Sequence, residues 1–172
     1  LDGIADTDGR SGEATVRKNK SGIVVKGLHD LAVRFSRCCN PVPGDEIVGF
    51  VTRGRGVSIH RTDCINVINL PEDERGRLID AEWQGEENPS STEQYSTEIQ
   101  IFANNRIGLF ADISKVFTEK QIDITSMNVR TSKQGRATII MTFDIHGTEE
   151  LNRITDKIRQ IDGVLDIQRT TG

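Results

Sequence analysis

Three thiols and one imidazole hold most of the chemistry this chain can offer. Cys38 and Cys39 are adjacent in the run CCNPVPG, and His60 stands four residues before Cys64, the last cysteine. Together they form a complete tetrahedral donor set for zinc. Adjacent cysteines are awkward in that role, because neighbours in an extended backbone point to opposite faces. Both sulfurs reach one ion only at a kink, which Pro41, Pro43 and Gly44 can supply. Two other readings stay open: a redox or regulatory thiol, and plain packing with one cysteine in the core and the other at a surface. Packing is the preferred expectation. It makes Cys39 and Cys64 a functional pair beside His60, and it makes Cys38→Ser and Cys39→Ser unequal. A vicinal disulfide closes a strained ring. A cysteine protease is disfavoured, since the other histidines are His29 and His146 and nothing marks an oxyanion site.

The second chemical feature is charge. Arg53-Gly54-Arg55-Gly56 is a basic turn whose guanidiniums have little steric cover; it is either a solvated tip or a phosphate contact. Arg34, Arg37, His60 and Arg61 lie near the same elements and join it as candidate phosphate contacts. Residues 17–61 hold nine Lys or Arg against three acids, a local charge of +6, within a chain of net charge −4. Residues 85–172 hold ten basic and thirteen acidic residues. A polyanion would therefore meet the first half.

Two sets of elements must position these groups. Residues 1–20 are polar and Gly-rich and read as a flexible tail. Residues 21–84 read as a small β-rich domain, with strands at 23–28, 31–36, either side of the RGRG turn, and 77–83. Thr62 is a plausible N-cap for a short helix with Asp63 in its first turn and Ile65 and Ile68 on one face. Residues 85–94 are a linker by composition. Residues 95–172 show cleaner periods: strands at 95–103, 121–132, 136–146 and from Val164, helices at 109–120 and 149–161, and Gly163 where the chain leaves the second helix. The order β-α-β-β-α-β predicts a ferredoxin-like sheet with two helices on one face, so the class is α+β. Phe110, Phe117, Met141 and Phe143 fall on apolar stripes and are expected in the core.

No apolar run approaches the ~20 residues of a membrane helix, and nothing resembles a signal peptide. Three cysteines without a secretory leader suit a reducing cytoplasm. The chain begins at Leu1, so a fragment of a longer protein is expected.

The stretch VKGLHDLAVRFSRCCNPVPGDEIVGFVTRGRGVSIHRTDCINV closely resembles the conserved-cysteine domain, called RIS or zinc-finger, in the C-terminal half of long RelA/SpoT-homologue (Rel) proteins. The second half resembles their terminal ACT domain. The resemblance implies a regulatory fragment, not itself an enzyme, of a stringent-response protein. Its parent would be a GTP pyrophosphokinase and (p)ppGpp 3'-pyrophosphohydrolase, with synthetase and hydrolase domains N-terminal to this region. It implies partners in the ribosome, its rRNA and deacylated tRNA, and in those N-terminal domains, with a homodimer through ACT possible. It also implies amino-acid sensing at the loop NNRIGL, with Asn104, Asn105, Ile107, Gly108, Leu109 and Asp123 as ligand candidates and a branched-chain amino acid as possible ligand. Ala103 and Asp123 depart from a serine-type site. The alternatives are a stand-alone amino-acid-sensing ACT protein and an RNA-binding module. The RNA-recognition motif shares this topology but needs aromatics on its third strand, where Phe143 stands alone.

Overall fold

A computed structural model of the chain describes residues 23–25, 32–54, 56–83 and 93–170. The 1–20 tail, Arg55, His29 and nearly all of the 85–94 linker lie outside the described residues.

The first sheet has five strands in the order β1-β5-β3-β4-β2. These are β1 (Ile23–Val25), β2 (Val33–Phe35), β3 (Ile47–Thr52), β4 (Gly56–Arg61) and β5 (Leu78–Trp83). Among the described strands only β2 and β4 run parallel. Alternation along β4 buries Val57 and Ile59 on one face, where they meet Ile23 and Ala81 with Phe35 and Trp83 beside them. The same alternation turns Ser58 and His60 to the other face, toward Cys39, Cys64 and Val67. Gly56 has φ +84°, and a Cβ there would collide with the Ala32 carbonyl oxygen. The parallel β2–β4 contact therefore needs glycine at this point of the basic turn.

The short helix α1 (Ile65–Ile68) begins later than expected, with Cys64 rather than Thr62 at its N-cap. Ile65 and Ile68 are 46% and 56% exposed, while Val67 is the residue that packs inward. A single helical turn has no room for an amphipathic stripe.

The C-terminal domain is the expected α+β arrangement: β6 (Tyr95–Asn104), α2 (Leu109–Glu119), β7 (Ile124–Thr131), β8 (Arg136–Ile145), α3 (Thr148–Arg159) and β9 (Val164–Arg169). The sheet order is β7-β8-β6-β9, antiparallel throughout. Period-two burial on β6 and β8 puts Thr97, Ile99, Ile101, Ile139, Met141 and Phe143 under the helices. Phe117 of α2 meets Phe143 edge-on at 4.9 Å. Phe110 is only half-buried, packed against this core. Phe143 is fully buried on the helix side, so it offers no stacking platform on the open face, and the RNA-recognition-motif reading loses its one aromatic.

The two domains share a joint. Val42, from the first domain's CCNPVPG run, is fully buried within the C-terminal core. Trp83 stacks on Phe35 at 5.6 Å, and Tyr95 packs edge-on against both rings. Thr148, the first residue of α3, donates its N–H to the Pro43 carbonyl at 2.8 Å.

Candidate metal centre

The kink that adjacent cysteines require is present. Residues 37–39 form a turn closed by Asn40 N–H donating to the Ser36 carbonyl at 3.1 Å. Asn40 sits at φ 47°, a region that asparagine tolerates better than most residues. The turn swings Cys38 and Cys39 to one side, facing His60 on β4 and Cys64 at the start of α1. The four ligand atoms lie within 4.8 Å of one another.

Cys38 Sγ is 3.9 Å from Cys39 Sγ, 3.5 Å from Cys64 Sγ and 3.4 Å from His60 Nδ1. Cys39 Sγ is 3.9 Å from the same nitrogen. A tetrahedral zinc with bonds of about 2.3 Å to sulfur and about 2.0 Å to nitrogen has edges of roughly 3.8 and 3.5 Å. The cluster fits a metal, and the expectation that Cys38 and Cys39 face opposite ways is corrected. The extended-chain argument fails because the pair occupies a turn.

Surroundings and ionisation suit ligation at His60 and Cys38, while the buried Cys39 and Cys64 hold their protons until an ion displaces them. With Nδ1 toward the sulfurs, His60 Nε2–H can donate to Ser58 Oγ at 3.1 Å, which fixes the ring. Burial lowers the His60 pKa, favouring the neutral, ligating imidazole. Burial alone would raise the half-exposed Cys38 thiol, but hydrogen bonds with Ser36, Asn66, Cys64 and Cys39 bring it below its ordinary value. Burial raises Cys39 and Cys64.

Arg61 departs from the expected phosphate role. It is 5% exposed. Its N–H points at Cys39 Sγ at 3.3 Å, and its guanidinium donates to the Cys39 carbonyl, the Thr170 carbonyl and Asp63. Strand alternation takes it away from solvent, and the end of the C-terminal domain covers it. Arg34, Arg37 and Arg53 are exposed; Arg55 is outside the described residues.

The loop before α2 is held by its own contacts. Asn104 and Asn105 donate their N–H groups to the Gly163 and Gly135 carbonyls, both at 2.7 Å. Arg106 reaches the Asp162 carbonyl and pairs with Asp112 at 2.7 Å. Gly108 has φ 83° at the helix N-cap, Ile107 is fully exposed and Asp123 is exposed. Leu109 is fully buried in the core, which corrects its candidacy as a ligand contact: as the first residue of α2 it faces the sheet. A cleft of about 380 Å³ lies instead at the joint, between Phe35, Arg37, Asn40, Pro41 and Tyr95.

Comparison with known proteins resolves the two halves separately. Residues 23–84 match the RelA/SpoT RIS domain, and residues 91–169 match the ACT domain. A GTP pyrophosphokinase of Streptomyces coelicolor is 40% identical over 150 residues, covering 87% of this chain and 17% of that protein. One of Escherichia coli strain K12 is 38% identical over 156 residues, covering 90% of this chain and 20% of that protein. The chain thus spans about a fifth of the length of the curated relatives it matches. The crystal structure of the ACT domain from GTP pyrophosphokinase of Chlorobium tepidum aligns with TM-score 0.41 and 22% identity, over 45% of this chain and 99% of that one.

Proposed function

The chain belongs to the C-terminal regulatory region of RelA/SpoT proteins, and from that premise we propose that it is the sensing module of a stringent-response GTP pyrophosphokinase. It holds zinc as a structural ion and contacts RNA of the ribosome and deacylated tRNA through its first domain. The observation that carries a regulatory rather than catalytic reading is the closed donor set. Catalytic zinc keeps a position open for water or substrate, whereas Cys38, Cys39, His60 and Cys64 supply all four ligands. Bound there, zinc would cross-link the Ser36–Asn40 turn to β4 and α1, tying its binding energy to folding.

The exposed Arg34, Arg37 and Arg53 are the groups that meet phosphate. Synthesis and hydrolysis of the alarmone belong to the parent protein, with which this module communicates in the cytoplasm. Among the described residues no helix is long and apolar enough to cross a membrane. A branched-chain amino acid at the Asn105–Gly108 loop is the remaining element of this reading, tested by a chemical-shift titration with valine and isoleucine. A second copy would dock on the outer strand β7, where Met127 and Val129 are 38% and 37% exposed; a strict monomer in sedimentation at high concentration would remove that partner.

The central experiment combines metal analysis of chain purified without chelator with filter binding to deacylated tRNA across a salt series. About one zinc per chain is expected, with an affinity that falls steeply as salt rises. Binding indifferent to salt would overturn the phosphate-contact reading.

A further inference from the structure

The segment Cys39–Asp45 is anchored at both ends. At its start, Cys39 enters the metal cluster, and its carbonyl accepts Arg61 Nη1–H at 3.3 Å. The same Nη1 donates to the Thr170 carbonyl at the end of the ACT domain. The Asn40 carbonyl accepts from Arg169 at 3.2 Å. Val42 is sealed in the ACT core, and the Pro43 carbonyl takes the Thr148 N–H. Asp45 holds Arg169 with both oxygens, while its Oδ2 also accepts the Val42 N–H and its carbonyl accepts Trp83 Nε1–H. Pro41 and Pro43 stiffen the run between the two anchors.

We infer that metal occupancy of the Cys38–Cys39–His60–Cys64 cluster and docking of the ACT domain on the RIS domain are coupled through the Cys39–Asp45 segment, with Arg61 and Arg169 as positioning residues. This rests on the zinc reading above. The Ser36–Asn40 turn serves both ends: it aims two adjacent sulfurs at one point and presents the Cys39 and Asn40 carbonyls to the two arginines. Asn40 holds a positive φ, a conformation that persists when its surroundings over-determine it. Metal supplies that constraint from one side and the ACT domain from the other. Each event therefore makes the other more favourable, and by linkage the factor is the same in both directions. Loss of zinc from the RIS domain becomes a loosened ACT domain, and a displaced ACT domain becomes a weaker zinc site.

The full chain carries its own reporters. The Thr148 amide is shielded across the joint by Pro43, and Trp83, the sole tryptophan, packs against Tyr95. Zinc removal with a chelator should speed Thr148 amide exchange and shift Trp83 emission, while amides deep in β8 stay protected. Arg169→Gln should weaken zinc binding about tenfold in competition with a chromophoric chelator, within the usual range of coupling factors. Arg153→Gln, which breaks an exposed pair within α3, should leave zinc affinity unchanged. Unchanged Thr148 exchange on zinc removal would by itself overturn the coupling and leave the metal site standing, and wild-type zinc affinity in a folded Arg169→Gln would remove Arg169 from it. Absence of stoichiometric zinc in the wild-type chain would overturn both. The chelation arm needs no substitution, so it decides even where Arg169→Gln fails to fold.

Discussion

Arg169, the last residue of the final ACT strand, holds Asp45 of the RIS domain through both carboxylate oxygens, at 2.6 and 2.9 Å. The two side chains keep only 10% and 18% of their surface exposed in the order Asp45, Arg169. Breaking such a pair leaves one charge stranded in a poorly hydrated seam. Arg169→Gln should therefore cost about 3 kcal/mol, well above the value of an exposed ion pair. Val42→Ala, which opens a hole in the ACT core from the RIS side, should cost about 2 kcal/mol. Because the two residues serve one joint, their effects should be non-additive in a double-mutant cycle followed by urea unfolding. Strict additivity would mean that the joint does not act as a unit.

Tyr95 gives the same joint a pH signature. Burial, together with the neighbouring Glu93 carboxylate, pushes its phenol up to about 12. The fold thus favours the protonated phenol, and the folded chain keeps that proton to higher pH than the unfolded chain does. Stability from this group is present below the ordinary phenol range and is lost as pH rises from about 10 toward 12. Tyr95 is the only tyrosine, so its absorbance at long ultraviolet wavelength can be followed alone. The midpoint should lie near 12 when folded and near 10 in denaturant. Coincident midpoints would show that the ring is not held in the joint.

The arginines of the RIS domain should separate into two kinds. Arg53→Ala with Arg55→Ala should weaken binding to structured RNA and flatten the salt dependence by about one unit for each phosphate that is no longer engaged. Arg61→Ala should act on stability instead, because its guanidinium is committed to the Cys39 and Thr170 carbonyls. A thermal melt beside a salt series distinguishes the two. An unchanged slope in the Arg53 and Arg55 variant would remove the basic turn from the RNA surface.

The ACT half is legible in the sequence because each element carries its own period. Alternation from Tyr95 to Ala103 and helical spacing of Leu109, Ile113, Val116 and Phe117 name their faces without reference to anything distant. The RIS half is legible in outline, but its joint is not. Val42 reads as one apolar residue between two prolines, and only the tertiary fold shows that its core belongs to the other domain. Arg61 and Arg169 look like any surface arginine, since strand alternation at a strand's end does not say what covers it. The cysteine pair misleads for a local reason. The extended-strand rule does not hold for residues that a turn, with Asn40 at positive φ, takes out of the strand. The Asn immediately before Pro-Val-Pro-Gly is the available signal, because asparagine is among the few residues that accept that conformation.

The cluster itself sets the remaining test. If the four ligands act as one unit, Cys38→Ser, Cys39→Ser, His60→Ala and Cys64→Ser should each abolish stoichiometric zinc, and their losses of thermal stability should be comparable in metal-loaded protein. In excess chelator the four should diverge. Cys39 and Cys64 are fully buried, so a hydroxyl at either place gives up its hydration for little more than a backbone N–H made to meet sulfur, Arg61 N–H at Cys39, at about 1–3 kcal/mol. Cys38 is half-exposed beside Ser36 Oγ at 2.9 Å, where serine is readily accommodated. The decisive measurement is a set of melts with and without chelator, read beside metal content. Losses equal in zinc and unequal in chelator are the expected pattern. The same unequal losses in both conditions would return the cysteines to a packing role, with Cys39 and Cys64 as the buried pair and no ion between them.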